Sequence, residues 1–314
     1  MGRVLLVFVD GVGLGAADRA VNPFMAARIP TLERLLDGHR PLREAAPRST
    51  AAATLRGLDA ALGVPGLPQS GTGQAALLTG ENAPRLFGRH FGPWTPTALR
   101  RVVEERNILA RALRAGRRVA FANAYPEEAV EALRRAAGHA PGPVPATLRA
   151  APTLAALAAG LLTRHTPELA RGEAVASEIT NEGWRERLGR VEVPAISAEE
   201  AGRNLARIAA EHDLTLFAHY ATDLAGHRGR YEDAVRALER LDGFLGGVLA
   251  ALPPDTLLVV ASDHGNIEDV RMGHTHNPAL ALVAGPGHAR LAARLRALTD
   301  VAPAVLEYLA VSPV

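Results

Sequence analysis

Four groups of acidic and imidazole side chains carry the chemical promise of this 314-residue chain. They are Asp10, the pair in Asp223-Leu-Ala-Gly-His227, the dipeptide Asp263-His264, and His274-Thr-His276. Brought together, such groups repel or take up protons unless cations hold them. Carboxylates with imidazoles suit zinc, manganese or a similar divalent ion. Three aspartates with three or four histidines are too many for one tetrahedral ion but suit two ions bridged by substrate oxygens. A further segment, Gln69-Ser70-Gly71-Thr72-Gly73-Gln74, has the make-up of a phosphate cradle: a small hydroxyl and glycines leading into an apolar run. A hydroxyl beside a divalent ion can be deprotonated and attack phosphorus. The segment lacks the lysine of a P-loop, and Gly11-Val-Gly13-Leu-Gly15 lacks the dinucleotide spacing, so neither nucleotide motif is present.

Taken singly, each group also has a plain structural reading. Asp10 could cap a helix or form a turn, Asp263-His264-Gly265 could be a turn, His274 and His276 could be solvated, and the Ser-Gly segment could be a flexible loop. Their joint placement favours a site. The hydrophobic pattern predicts buried strands over 4–9, 118–122, 214–218, 256–261 and 279–283. Each acidic or imidazole group falls directly after a strand or in the loop that follows one. In an open parallel sheet those loops converge on one crevice. Helical patterns over 107–115, 198–211 and 231–252, and over 289–309 with a break near Asp300, supply the alternation of an α/β fold. From Pro126 the texture turns rich in Ala, Pro and Gly, so 126–189 reads as a small insertion into one α/β core.

Composition narrows the classes. Hydrophobic residues at 48% and charged residues at 22% allow a full core. Aromatics at 4% argue against stacking on nucleic acid, and a net charge of +2 gives no reason to expect a polyanion partner. Lysine is absent, so every fixed cation is arginine. With no cysteine, disulfides, thiolate metal sites and a cysteine nucleophile are ruled out. No signal-peptide core or membrane-length apolar stretch is found, so the cytoplasm is expected.

These motifs together resemble the alkaline phosphatase superfamily of binuclear metalloenzymes, and within it cofactor-independent phosphoglycerate mutase and phosphopentomutase-like proteins. Val7-Phe-Val-Asp10-Gly11-Val-Gly13 resembles the first metal-binding strand end, and Leu67 through Gln74 the nucleophile loop. Asp223-Leu-Ala-Gly-His227, Asp263-His264-Gly265-Asn266 and Gly273-His274-Thr-His-Asn277-Pro278 are similar to the remaining ligand motifs. The resemblance implies that one ion takes Asp223, His227 and His274. It implies that a second takes Asp10, Asp263 and His264, with Ser70 next to both and acting as nucleophile. Two divalent ions are implied, manganese or zinc, with magnesium an alternative. The implied fold is a three-layer α/β/α core with a mainly parallel sheet, formed by 1–125 and 190–314, plus a cap at 126–189. The implied activity is hydrolysis of a small phosphorylated substrate through a phosphoserine. Alternatives are a phosphomutase, a phosphodiesterase and a non-catalytic metal-binding protein. The chain departs from the mutases in having Gln74 where they have a histidine and in the shortness of the cap. Arg134, Arg149, Arg164 and Arg185 are the cap arginines that a substrate could use.

Overall fold

A computed structural model describes residues 2–137, 149–271 and 273–311. Part of the cap segment, 138–148, lies outside the described residues. Seven strands form one sheet: β1 (Arg3–Val9), β2 (Arg48–Ser49), β3 (Ala53–Leu58), β4 (Val119–Phe121), β5 (Leu214–His219), β6 (Thr256–Ala261) and β7 (Ala279–Ala284), in the order β2-β3-β7-β6-β1-β5-β4. Strands β6, β1, β5 and β4 pair in parallel. β7 returns antiparallel beside β6, and β3 and β2 extend that edge, also by antiparallel pairing. The sequence pattern anticipates β7 but not its direction, and it misses β2 and β3.

Successive residues of β1 enter opposite cores, as a strand buried on both faces requires. Val4, Leu6 and Phe8 join one cluster with the helices Ser70–Thr79, Ile108–Arg114 and Val301–Tyr308. Leu5, Val7 and Val9 join the other, with the helices Pro30–Leu35, Ala198–Ala210 and Tyr231–Ala251. The result is the three-layer α/β/α arrangement. Each fully buried side chain of this size contributes about 1.5–3 kcal/mol. No helix among the described residues is long and apolar enough to cross a membrane.

The 126–189 segment contributes to three clusters, Val175 and Ile179 joining the core of the second face. Val130, Leu133, Leu154 and Leu162 share the core of the sheet's first face. Leu169, Ala174, Ala176 and Trp184 form a small cluster of their own with Ala124 and Val193. Arg164 donates to the Glu173 and Phe121 carbonyls, Arg185 to those of Val191 and Val193, and Arg134 to that of Leu162. These three cap arginines are therefore tied to the backbone.

On the second face, two glycines let the helices Ala198–Ala210 and Tyr231–Ala251 touch backbone to backbone. A Cβ on Gly247 would lie 2.0 Å from the Glu199 carbonyl oxygen, and one on Gly202 would lie 2.1 Å from that of Phe244. Alanine at 247 gains about 1 kcal/mol of helix propensity, whereas overpacking costs about 1–3 kcal/mol. A contact this short decides the balance. Gly247→Ala should lower the thermal midpoint in a calorimetric scan, and an unchanged or raised midpoint would contradict the packing.

Candidate metal centre

The strand ends deliver the ligands. Asp10 follows β1, its N–H donates to the His219 carbonyl at the end of β5, and its own carbonyl accepts from Thr222 Oγ1 at 2.6 Å. Asp263 and His264 follow β6, and Asp263 Oδ1 accepts from the Gly11 N–H at 3.3 Å. Asp223 and His227 sit on the helix Ala221–Arg228 rather than in a loop. Their four-residue spacing puts both on one face. The glycine between them serves packing: a Cβ at Gly226 would meet Asn266 Oδ1 at 2.5 Å. His274 lies in the loop between β6 and β7, where Nδ1 faces the Pro68 carbonyl at 2.8 Å.

Ser70 also departs from the loop reading, because the helix Ser70–Thr79 begins at Ser70 itself. Glycines in its first turn are demanded by neighbours. A Cβ on Gly71 would lie 2.0 Å from the Trp94 carbonyl, and one on Gly73 would press on Asp263 at 3.0 Å. Ser70 Oγ lies 2.9 Å from His264 Nε2. Thr72 turns away and bonds to the Gln69 and Phe91 carbonyls.

Two overlapping groups result. Asp223, His227 and His274 each offer a ligand atom within 4.8 Å of the others, and so do Asp10, Asp223 and His264. His264 Nε2 stands 3.3 Å from Asp10 Oδ1 and 3.6 Å from Asp263 Oδ2. Asp223 belongs to both groups, and Asp263 and Ser70 stand beside the second through His264. His276 is exposed and outside them.

Electrostatics express the crowding. Burial, then Asp263 and Asp223, push Asp10 well above the usual carboxylate range. Burial also raises Asp263. Burial opposes the charged form of Asp223 too, but the hydrogen bond with His227 and the charge on His264 hold it at about 2. Burial would lower His264, yet Asp263 and Asp10 raise it to about 10. Burial and the His264 charge bring His274 down to about 4.

Divalent cations fit this donor set. Asp10 Oδ1 and Asp263 Oδ2 are buried without a hydrogen-bond partner, a costly state for a carboxylate. The Pro68 carbonyl can only accept, so His274 carries its proton on Nδ1 and presents a lone pair at Nε2. That lone pair lies 3.1 Å from His227 Nε2. His227 Nε2 can donate its proton to that lone pair or, without the proton, share a cation with it.

Sequence reasoning missed the groups that hold the ligands in place. Glu268 is buried and accepts from the Gly13 and Asn266 N–H groups, from Thr275 Oγ1 and from Asn277 Nδ2, knitting the β6–β7 loop to the loop after β1. Asn266 Nδ2 donates to Asp223 Oδ1 at 2.6 Å, and Gln74 Nε2 to Asp10 Oδ2 at 3.0 Å. Orienting bonds of this kind commonly fix metal-ligating carboxylates. The only sequence signal was proximity to the ligand motifs.

Comparison with known proteins agrees with this geometry. A family model for the Metalloenzyme superfamily matches residues 190–313. The chain is 32% identical over 124 residues to the 2,3-bisphosphoglycerate-independent phosphoglycerate mutase of Desulforudis audaxviator, covering 37% of this chain and 24% of that protein. It is 39% identical over 124 residues to the enzyme of the same name from Dinoroseobacter shibae, covering 36% of this chain and 24% of that protein. The chain thus spans about a quarter of the length of the curated relatives it matches. In fold it is similar to the PH0037 protein from Pyrococcus horikoshii, with 13% identity, a TM-score of 0.58, and coverage of 100% of this chain and 98% of that one. It is also similar to a mutant TAB5 alkaline phosphatase, with 11% identity, a TM-score of 0.50, and coverage of 99% and 98%. The C-terminal part of the chain, residues 190–313, is thus similar to the Metalloenzyme superfamily, and the fold of the chain is like that of alkaline phosphatase.

Proposed function

We propose that the chain is a metal-dependent phosphoryl-transfer enzyme that hydrolyses a small phosphomonoester through a phosphoserine on Ser70. The observation that carries this reading is the placement of Ser70. Its hydroxyl opens a ten-residue helix and lies 2.9 Å from His264 Nε2, in a cleft shared with Asp10 and Asp223. Asp223, His227 and His274 would hold one divalent ion, and Asp10, Asp263 and His264 the other. Such ions neutralise the carboxylates, polarise the phosphoryl group and lower the pKa of the Ser70 hydroxyl. The start of the helix presents N–H groups and the positive end of its dipole to phosphoryl oxygens. Ser70 gives up its proton, its Oγ attacks phosphorus, the ester P–O bond breaks, and the departing alkoxide takes up that proton to leave as the alcohol. Water then attacks the phosphoserine, releasing phosphate and restoring Ser70. Asn266 and Gln74 keep Asp223 and Asp10 oriented throughout.

Residues 1–125 and 190–314 would act as the catalytic core and 126–189 as the cap, which reaches the cleft through Ala150. The second reading is a phosphomutase, favoured by the likeness to phosphoglycerate mutases over the C-terminal part. Against it, three of the cap arginines named above are engaged with backbone carbonyls.

Elemental analysis of the purified protein should find about two divalent ions per chain. Asp263→Ala should lose one of them, and Asp223→Asn should weaken the site it shares with His227 and His274. Protein that takes up no divalent ion after reconstitution would refute the reading. Ser70→Ala should lower phosphatase turnover by several orders of magnitude, while Thr72→Ala should cost far less. Mass spectrometry of trapped enzyme should map the phosphate to Ser70; finding it on Thr72 would overturn the assignment.

A further inference from the structure

The cleft beside Ser70 is lined by Asp10, Gln74 and Asp223 together with Pro93, Ala150, Tyr220 and Leu224. It measures about 190 Å³. Its charged groups are thus confined to the candidate ligands, and the rest of the lining is largely carbon. Leu224 is 54% exposed although it is a large apolar residue next to Asp223. An exposed leucine at the mouth of a polar site is surface that a ligand can cover. Ala150 comes from the cap, so the apolar lining is assembled from both parts of the chain. Among the described residues the lining has no arginine, and the sequence 138–148 contains none either.

A substrate with a second anionic group would need a fixed cation here, because leaving a charge unpaired in a desolvated cleft is costly. Arginines do line the adjoining cleft on the far side of Tyr220 and Leu224: Arg187, Arg228, Arg236 and Arg240. That cleft also holds Glu178, Glu182, Glu186 and Asp233, which balance them in number. Arg240 pairs with Glu182 and Arg236 with Asp233.

We infer that the phosphomonoester this site accepts carries an uncharged, apolar leaving group, an aryl or alkyl alcohol packed on Leu224, Pro93 and Ala150, rather than one bearing a second carboxylate or phosphate. This inference rests on the phosphoryl-transfer reading and goes beyond it.

Calorimetric binding to metal-loaded protein tests it without turnover, using inorganic phosphate, phenylphosphonate and 3-phosphonopropionate. Phenylphosphonate should bind on the order of tenfold more tightly than 3-phosphonopropionate, from the apolar surface it buries. Leu224→Asn should remove most of that advantage while leaving phosphate affinity unchanged. Equal or tighter binding of 3-phosphonopropionate would overturn the inference and leave the phosphoryl-transfer reading standing. An advantage that survives in both Leu224→Asn and Ala150→Ser would overturn it as well. If phosphate and both phosphonates fail to bind, the phosphoryl-transfer reading falls and the inference falls with it.

Discussion

Three carboxylates, Asp10, Asp223 and Asp263, are held around one buried imidazole, His264, and the surrounding architecture serves to keep them there. Asp263 and His264 are fully buried and Asp10 nearly so. Isolated, such groups would neutralise or swell apart, because burial and mutual repulsion oppose their charge. Burial and neighbouring carboxylates push Asp10 up; against burial, the contacts with His227 and His264 hold Asp223 down, and Asp263 and Asp10 lift His264. Packing resists the repulsion. The ligand-bearing strands β1 and β6 are central in the sheet, and Glu268 ties the two loops at their ends.

The parallel strands were readable because a strand buried on both faces is a continuous apolar run, and Asp10 follows such a run directly and Asp263 one residue after it. The antiparallel edge was not. The connection from β6 to β7 has no helix among its described residues, and without a crossover helix the chain returns antiparallel to its neighbour. β3 was missed because Ala53–Leu58 includes Arg56 and Gly57, which weaken a strand pattern. The helix at Ser70 was hidden for a tertiary reason. Gly71 and Gly73 look like turn residues by propensity, yet Trp94 and Asp263 leave no room for a side chain there. The same holds for Gly226 against Asn266. All the proposed ligands were visible as residue types; that Asp223 reaches both groups was not, since it depends on how the helix Ala221–Arg228 lies against the strand ends.

On the proposed reading the ligands and most of the cleft lining come from the core, with one apolar contact added by the 126–189 segment. Ser70, the strand-end carboxylates and the imidazoles come from the core, whereas Ala150 reaches the cleft from the cap. A fold and a set of ligand motifs can serve different substrates, so they say less about the reaction than about the architecture.

The central claim is that cations, not protons, balance this cluster. Anomalous difference maps from crystals of manganese- or zinc-loaded protein, collected at the metal absorption edge, test it most directly. The account predicts two peaks about 3.5–4 Å apart, one among Asp223, His227 and His274 and one among Asp10, Asp263 and His264, with Ser70 Oγ beside them. A map with no peak at these residues, in protein that keeps its fold, would contradict it.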